Sequence, residues 1–179
     1  TTDFGSPWQG LNTRFPGDQH LARLEVKDYQ VEDADTVNIM LSGGNKLTLR
    51  LAGIDAPETE HGDSYASGKV FQDQPWGREA TSQLETLLGR QGGLTAVLNP
   101  EGGSTYGRAP ALLFGDDGTN INLELVRQGA AASLPFGKAS ERLASASEFN
   151  RAQDEAYESS AGMWSDPGWR AAANIQGRT

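Results

Sequence analysis

The sequence predicts an α+β fold of mainly β character, a five-stranded barrel with about three helices packed on it. Three observations predict it. Short runs of alternating apolar and polar side chains recur at residues 21–31, 36–41 and 46–54, with turn residues between them. Two more apolar runs, 94–98 and 108–114, follow later in the chain. Helical spacing of apolar residues enters only after the third and the fifth of these runs.

Each element has a local reason. Residues 1–20 form a turn-rich arm in which Phe4, Trp8 and Phe15 are spaced by Gly5, Pro7, Gly10, Pro16 and Gly17. The arm reads as an extension draped over the domain, with docking to a protein partner as the alternative. Leu24 and Val26 alternate with Arg23 and Glu25 in the first strand, the acidic run 32–35 turns the chain, and 36–41 returns. Ser42, Gly43, Gly44 and Asn45 make a hairpin turn into the third strand, expected to run unbroken from 46 to 54. Residues 59–74 are polar and Gly-rich and read as a surface loop. A helix is expected over 75–88, with Leu84, Leu87 and Leu88 on its apolar face.

After the fourth strand at 94–98, the fifth at 108–114 contains Pro110, which limits pairing to one side. Asp116, Asp117 and Gly118 read as a plain turn, since the spacing of a calcium-binding EF-hand loop is absent. A short helix over 120–127 ends at Gly129, a longer one is expected over 138–159 with Gly162 as its terminator, and Trp164 is placed as a plug behind it. Residues 166–179 read as a tail that frays. The division is an N-terminal extension (1–20), a core domain (21–164) and a C-terminal tail (165–179), and the five-stranded OB barrel is the natural candidate for the core.

Composition narrows the chemistry. The 179 residues suit one domain with a real core. The absence of cysteine excludes disulfides and thiolate zinc sites, and two histidines, His20 and His61, make a His-based triad or metal site a poor fit. A general base is then expected to be a carboxylate. No apolar run approaches the roughly 20 residues of a membrane span, and no leader-like segment opens the chain at Thr1, where one could already have been removed. A net charge of −9 argues against broad attraction to nucleic acid, though not against a small local site of arginines and a bridging cation.

Such a site is suggested by residues 47–58, LTLRLAGIDAPE, where Arg50 sits in a strand and Asp55 and Glu58 follow its end. Taken singly the residues have ordinary readings. Asp35 before Thr36, and Asp55 before Ala56 and Pro57, could be turn chemistry. Arg50 could form a structural salt bridge, Glu58 could be a solvated carboxylate, and Arg108 a surface charge.

Taken together they carry a resemblance. DADTV at 33–37, RLAGIDAPE at 50–58, WGREAT at 76–81, YGR at 106–108, NLELVRQG at 122–129 and AGMW at 161–164 occur in the order found in the thermonuclease, or staphylococcal nuclease-like, family. The chain resembles that family from about residue 21 to residue 164. The resemblance implies that Asp35, Asp55 and the backbone carbonyl of Ala56 hold a divalent ion, calcium by preference, because the donors are hard oxygens. It implies that Glu58 orients or deprotonates the attacking water, that Arg50 and Arg108 bind the phosphate's equatorial oxygens, and that Tyr106 positions a neighbouring phosphate. The implied activity is sugar-nonspecific cleavage of DNA or RNA to 3'-phosphate products.

The chain departs from the family's type member in three places. Ala56 stands where that protein has threonine, Lys69 is the single lysine of a less basic loop, and 132–136 lacks the base-stacking tyrosine, for which Phe136 is a loose substitute. These changes predict weaker substrate binding rather than lost chemistry. The competing expectation is a nuclease-fold structural or binding module docked in a larger assembly. Export is common in the family and leans the compartment toward a secreted or extracytoplasmic one.

Overall fold

The computed structural model describes residues 21–57, 64–65, 69–70, 76–99, 108–134 and 144–175. Its first three strands are β1 (Ala22–Asp33), β2 (Thr36–Leu41) and β3 (Lys46–Leu51), an antiparallel meander. The register pairs Gln30 with Asn38 and Asn38 with Thr48, so one alternate set of side chains on all three strands faces outward. The other set, Val37, Ile39, Leu49 and Leu51, is buried, as the period-2 pattern demands. Gly43 and Gly44 take φ of +89° and +86° in the β2–β3 turn, which glycine adopts without a side-chain penalty.

The third strand is shorter than expected. It stops at Leu51, and the chain turns through Ala52 and Gly53 before resuming as the two-residue β4 (Ile54–Asp55). Gly53 has φ +83°, and a β-carbon there would lie 2.7 Å from Ala144 Cβ and 3.0 Å from Phe149 Cε2. A residue that must be both left-handed and flush against another element cannot continue a strand. Alternation of apolar residues through Ile54 concealed this, because Ile54 is buried on the far side of the turn as well.

A small backbone hairpin, β5 (Ser64–Tyr65) with β6 (Lys69–Val70), occurs within the stretch expected to be loop. Helix α1 (Gly77–Gly89) follows and buries Ala80, Leu84, Leu87 and Leu88. Strand β7 (Leu94–Leu98) pairs with β1 on one side and with β8 (Ala109–Gly115) on the other. β8 also runs parallel to β3, pairing Arg50 with Pro110, and this closes the barrel in the order β1-β2-β3-β8-β7. Pro110 pairs only toward β3, because the β7 ladder begins at Leu112. This connectivity, with one parallel pair and a helix between the third and fourth barrel strands, is the OB arrangement. In the turn after β8, the hydroxyl and N–H of Thr119 hold the exposed Asp117 carboxyl below its usual range.

Helix α2 (Ile121–Arg127) starts at Asn120, whose side chain accepts from the N–H of Leu123, and ends in a left-handed Gly129. Its Asn122 is fully buried, yet every polar atom has a partner. The amide donates to the carbonyls of Ala52 (2.9 Å) and Ala111 (3.0 Å) and accepts from the N–H of Leu113 (3.1 Å). One side chain thereby ties α2 to β8 and to the Ala52–Gly53 turn. Asn122→Leu should cost about 3 kcal/mol in a denaturant titration, since it removes a partner from the Leu113 N–H and the Ala52 carbonyl, while the Ala111 carbonyl keeps the N–H of Ala52.

Strand β9 (Ala132–Ser133) pairs antiparallel with β4. Helix α3 (Ala146–Glu158) begins later than expected, with Ala144 and Ser145 non-helical, while residues 138–143 of the expected span lie outside the described residues. It ends through left-handed Ser160 rather than at Gly162. A 3-10 turn (Gly162–Ser165) follows, and Trp164, 3% exposed, packs with Ala156 and Met163 in a second apolar cluster. The expected tail contains helix α4 (Pro167–Ile175). Arg170 anchors it by donating to the carbonyls of Tyr157 (2.8 Å) and Trp164 (3.0 Å) while its guanidinium lies 3.9 Å from the Tyr157 ring centre.

Candidate active site

The start of β2, the end of β3 and the start of β8 meet at one end of the barrel. Asp35 stands just before β2 and is 4% exposed. Its backbone carbonyl accepts from the N–H of Leu51 at 2.8 Å, which fixes the acidic turn against the end of β3. Thr36, the first residue of β2, is paired with Arg50, and Arg50 with Pro110 across the parallel pair. Arg108 precedes β8 by one residue and so arrives beside Thr36.

A continuous polar chain results. Arg108 Nη1 donates to Thr36 Oγ1 at 3.1 Å, and that hydroxyl donates its proton to Asp35 Oδ1 at 3.1 Å. On the other carboxylate oxygen, Arg50 Nη2 lies 3.6 Å away and the N–H of Ala56 at 3.4 Å. Arg50 is only 24% exposed at its side chain, and its fork is committed to the backbone: Nη1 to the carbonyl of Leu51 (2.5 Å) and Nη2 to that of Ile54 (2.7 Å). The arginine therefore bridges both ends of the Ala52–Gly53 turn, and the turn in turn orients the guanidinium.

The structure thus brings together Asp35, Arg50 and Arg108 of the sequence-predicted set. Asp55 is exposed on β4, opposite Ala132 of β9, one residue from the Ala56 contact with Asp35. Ala56 is buried. Glu58 and Tyr106 lie outside the described residues, as do the aromatic arm 1–20, the segment 58–63 and Phe136. The side chain of Lys69 is likewise not described. The segment after α2 runs past Asp55: the N–H of Leu134 donates to the carbonyl of Gly53 at 2.7 Å, and its side chain, 39% exposed, is an apolar surface beside the site.

Thr36 is the residue that sequence reasoning passed over. Read as turn chemistry, it is the hydroxyl that joins the carboxylate to the second arginine. Its signal was position: a short hydroxyl residue opening a strand directly after an acid, across from an arginine in the pairing register.

The donor set suits a hard cation. Asp35 is a buried carboxylate whose described partners are one hydroxyl, one long backbone contact and one loosely placed guanidinium, leaving acceptor capacity unused among the described residues. Asp55 is exposed nearby, and among the described residues no histidine or sulfur ligand shares the cluster. Among the described residues no group of three His, Cys, Asp or Glu side chains forms, so a cation here would draw on backbone oxygen or water beyond Asp35 and Asp55.

A five-stranded OB barrel with an acid–arginine cluster at the end of its parallel strand pair defines the class of protein. The chain belongs to the staphylococcal nuclease homologue family, whose model matches residues 48–166, well over half of its length. At the level of the family it is a nuclease, a phosphodiesterase. It is similar to endonuclease YhcR of Bacillus subtilis, 29% identical over 102 residues, which is 57% of this chain and 8% of that protein. It is also similar to an uncharacterized endonuclease of Escherichia coli O157:H7, 29% identical over 145 residues, 81% of this chain and 80% of the relative. A third relative, an uncharacterized endonuclease of Haemophilus influenzae, is 27% identical over 137 residues, 76% of this chain and 64% of that protein. Asp35 and Thr36 precede the family-matched span, so their part in the site is supported by the geometry above.

Proposed function

We propose that the chain is a calcium-dependent, sugar-nonspecific nuclease that hydrolyses phosphodiester bonds in DNA or RNA and leaves 3'-phosphate products. The observation that carries this reading is the hydrogen-bonded run Arg108–Thr36–Asp35, with Arg50 on the opposite carboxylate oxygen and Asp55 beside it. Asp35, Asp55 and the Ala56 carbonyl are the residues that would hold the cation, and calcium bound there would supply positive charge to offset the negative charge that builds on the phosphoryl oxygens.

The rest is work for the chain's own side chains. Arg50 and Arg108 offer planar donors to two oxygens of the phosphate, and both are held by neighbours before substrate arrives, so little reorganisation is needed. Glu58 takes the proton of the attacking water. Water adds to phosphorus, the bond to the 5'-oxygen breaks, that oxygen takes a proton from solvent and leaves as a 5'-hydroxyl, and the phosphate stays on the 3' side. Tyr106 positions the adjoining phosphate.

The net charge of −9 favours a second reading, a binding or structural module that keeps the barrel without turnover. One experiment separates them: purified protein with single-stranded DNA in calcium, the same with chelator, and Glu58→Gln in calcium. The expected result is cleavage abolished by chelator and reduced at least about 100-fold by Glu58→Gln. No calcium-dependent cleavage by the unaltered chain supports the module. Cleavage undiminished in Glu58→Gln rejects that residue as the base.

A further inference from the structure

The outward face of β1, β2 and β3 continues directly from the arginine site. The Thr36–Arg50 pair lies at the site, the next outward pair is Asn38–Thr48, and the next Met40–Lys46. Lys46 therefore stands about 13 Å along β3 from Arg50, four residues of extended strand away. From Lys46 to the Asn38–Thr48 pair, one outward pair short of Arg50, runs a groove of about 560 Å³ lined by Asp28, Gln30, Asn38, Met40, Lys46 and Thr48, among others.

Its charge is divided by strand. Along β3 the outward charged residues are Lys46 and Arg50, both cationic. Along the stretch of β1 that faces them, residues 28–32, the charged residues are Asp28 and Glu32, both anionic, and Glu32 Oε1 accepts from Asn38 Nδ2 at 3.0 Å. In the middle Thr48 Oγ1 donates to Asn38 Oδ1 at 2.6 Å, next to half-buried Met40. Lys46 is exposed, and no ion pair among the described residues neutralises it, whereas Lys27 is paired with Glu25 at 3.1 Å.

We propose that this groove is a substrate subsite for single-stranded nucleic acid, which runs from the arginine site along β3 with a phosphate on Lys46 and its bases over Met40 and Asn38. A strip with one cationic edge accepts one phosphate backbone. A duplex would bring its second backbone toward the carboxylates of Asp28 and Glu32, so the same division of charge selects against double strands. The polar and thioether middle offers contact to base faces and edges without requiring one sequence. The inference rests on the nuclease reading for its substrate, but its test does not depend on turnover.

The test is a fluorescence anisotropy titration, in chelator and at several salt concentrations, of a labelled single strand and the matching duplex. The full chain is compared with Lys46→Glu, with Asp28→Lys, and with Lys27→Glu, which makes the same charge change outside the groove. Expected is preference for the single strand, about tenfold weaker single-strand binding by Lys46→Glu than by Lys27→Glu, and a salt slope shallower by about 0.7 in Lys46→Glu. Asp28→Lys should bind the duplex more tightly than the unaltered chain does. Equal single-strand affinities for Lys46→Glu and Lys27→Glu, equal affinity of the unaltered chain for both nucleic acids, or no binding at all would each overturn the proposal. A parallel cleavage assay in calcium keeps the two readings apart. Lys46-dependent binding without cleavage retains the groove and sinks the nuclease, and cleavage with Lys46-independent binding does the reverse.

Discussion

Arg50→Lys is expected to lower kcat by about 100-fold or more while the barrel stays folded. The guanidinium reaches the carbonyls of Leu51 and Ile54 at once and keeps its second nitrogen 3.6 Å from Asp35. An ammonium group keeps the charge but is a point donor on a flexible stem and cannot hold both carbonyls in the plane that presents further N–H groups to a phosphate. Losing one preorganised donor to transition-state charge costs roughly 3 to 4 kcal/mol, the 10²- to 10³-fold range. The accompanying loss of stability should be smaller, about 1 to 2 kcal/mol, because the ammonium group can still bond one of the two buried carbonyls. Single-turnover cleavage in calcium and a thermal melt measure the two effects. Activity within a few-fold of the unaltered chain would mean that Arg50 serves the turn alone.

Gly129→Ala is expected to be among the most costly methyl additions at the described glycines, at about 3 kcal/mol or more. Gly129 closes α2 with φ +73°, its N–H bonded to the carbonyl of Val126 and the next N–H, of Ala130, to that of Leu125. A left-handed residue with a side chain costs roughly 1 to 2 kcal/mol. Here the added carbon would also sit 2.1 Å from the carbonyl oxygen of Ala161, a backbone atom that cannot rotate aside. The Met163 N–H that donates to the Gly129 carbonyl at 2.9 Å would be displaced with it, and with it the cluster of Met163 and Trp164. Gly44→Ala supplies the control, since φ is +86° but nothing lies within 4 Å. It should show the backbone penalty alone. Gly162 meets Gly129 from the other side, its added carbon 2.5 Å from the Gly129 carbonyl, so Gly129→Ala with Gly162→Ala should cost less than the sum of the two. Urea titrations of the four proteins decide it, and a Gly129→Ala no worse than Gly44→Ala would refute the packing argument.

These two positions show where sequence reasoning reached and where it stopped. Gly129 was legible as a helix terminator because a glycine just past an apolar-periodic segment is a local signal. Gly162 invited the same reading and has a different role, since its need is for space against a backbone in another element and no local pattern records that. Residues 46–54 were legible as a strand, but the break at Gly53 depends on Phe149 of α3 and on Ala144 just before that helix, far along the chain. The start of α3 was overextended because Ala, Glu and Arg content carries helical propensity through residues 144 and 145, where the backbone is held otherwise. The tail was undervalued because the anchor of α4 is one arginine over one tyrosine, invisible in composition.

By itself the sequence determined most of the barrel's strands and the turns between them, and it nominated the acid–arginine set, of which Asp35, Arg50 and Arg108 lie together. Period-2 alternation, turn residues and motif spacing are properties of neighbouring residues, and they survive in any compact arrangement that buries one face. The tertiary structure alone decided that Arg108 meets Thr36, 72 residues away, that Arg50 turns its fork onto the carbonyls of Leu51 and Ile54, and that Lys46 and Arg50 on β3 stand across the outer sheet face from Asp28 and Glu32 on β1. Those facts follow from the parallel pairing of β3 with β8 and from the register of three strands, which only barrel closure sets.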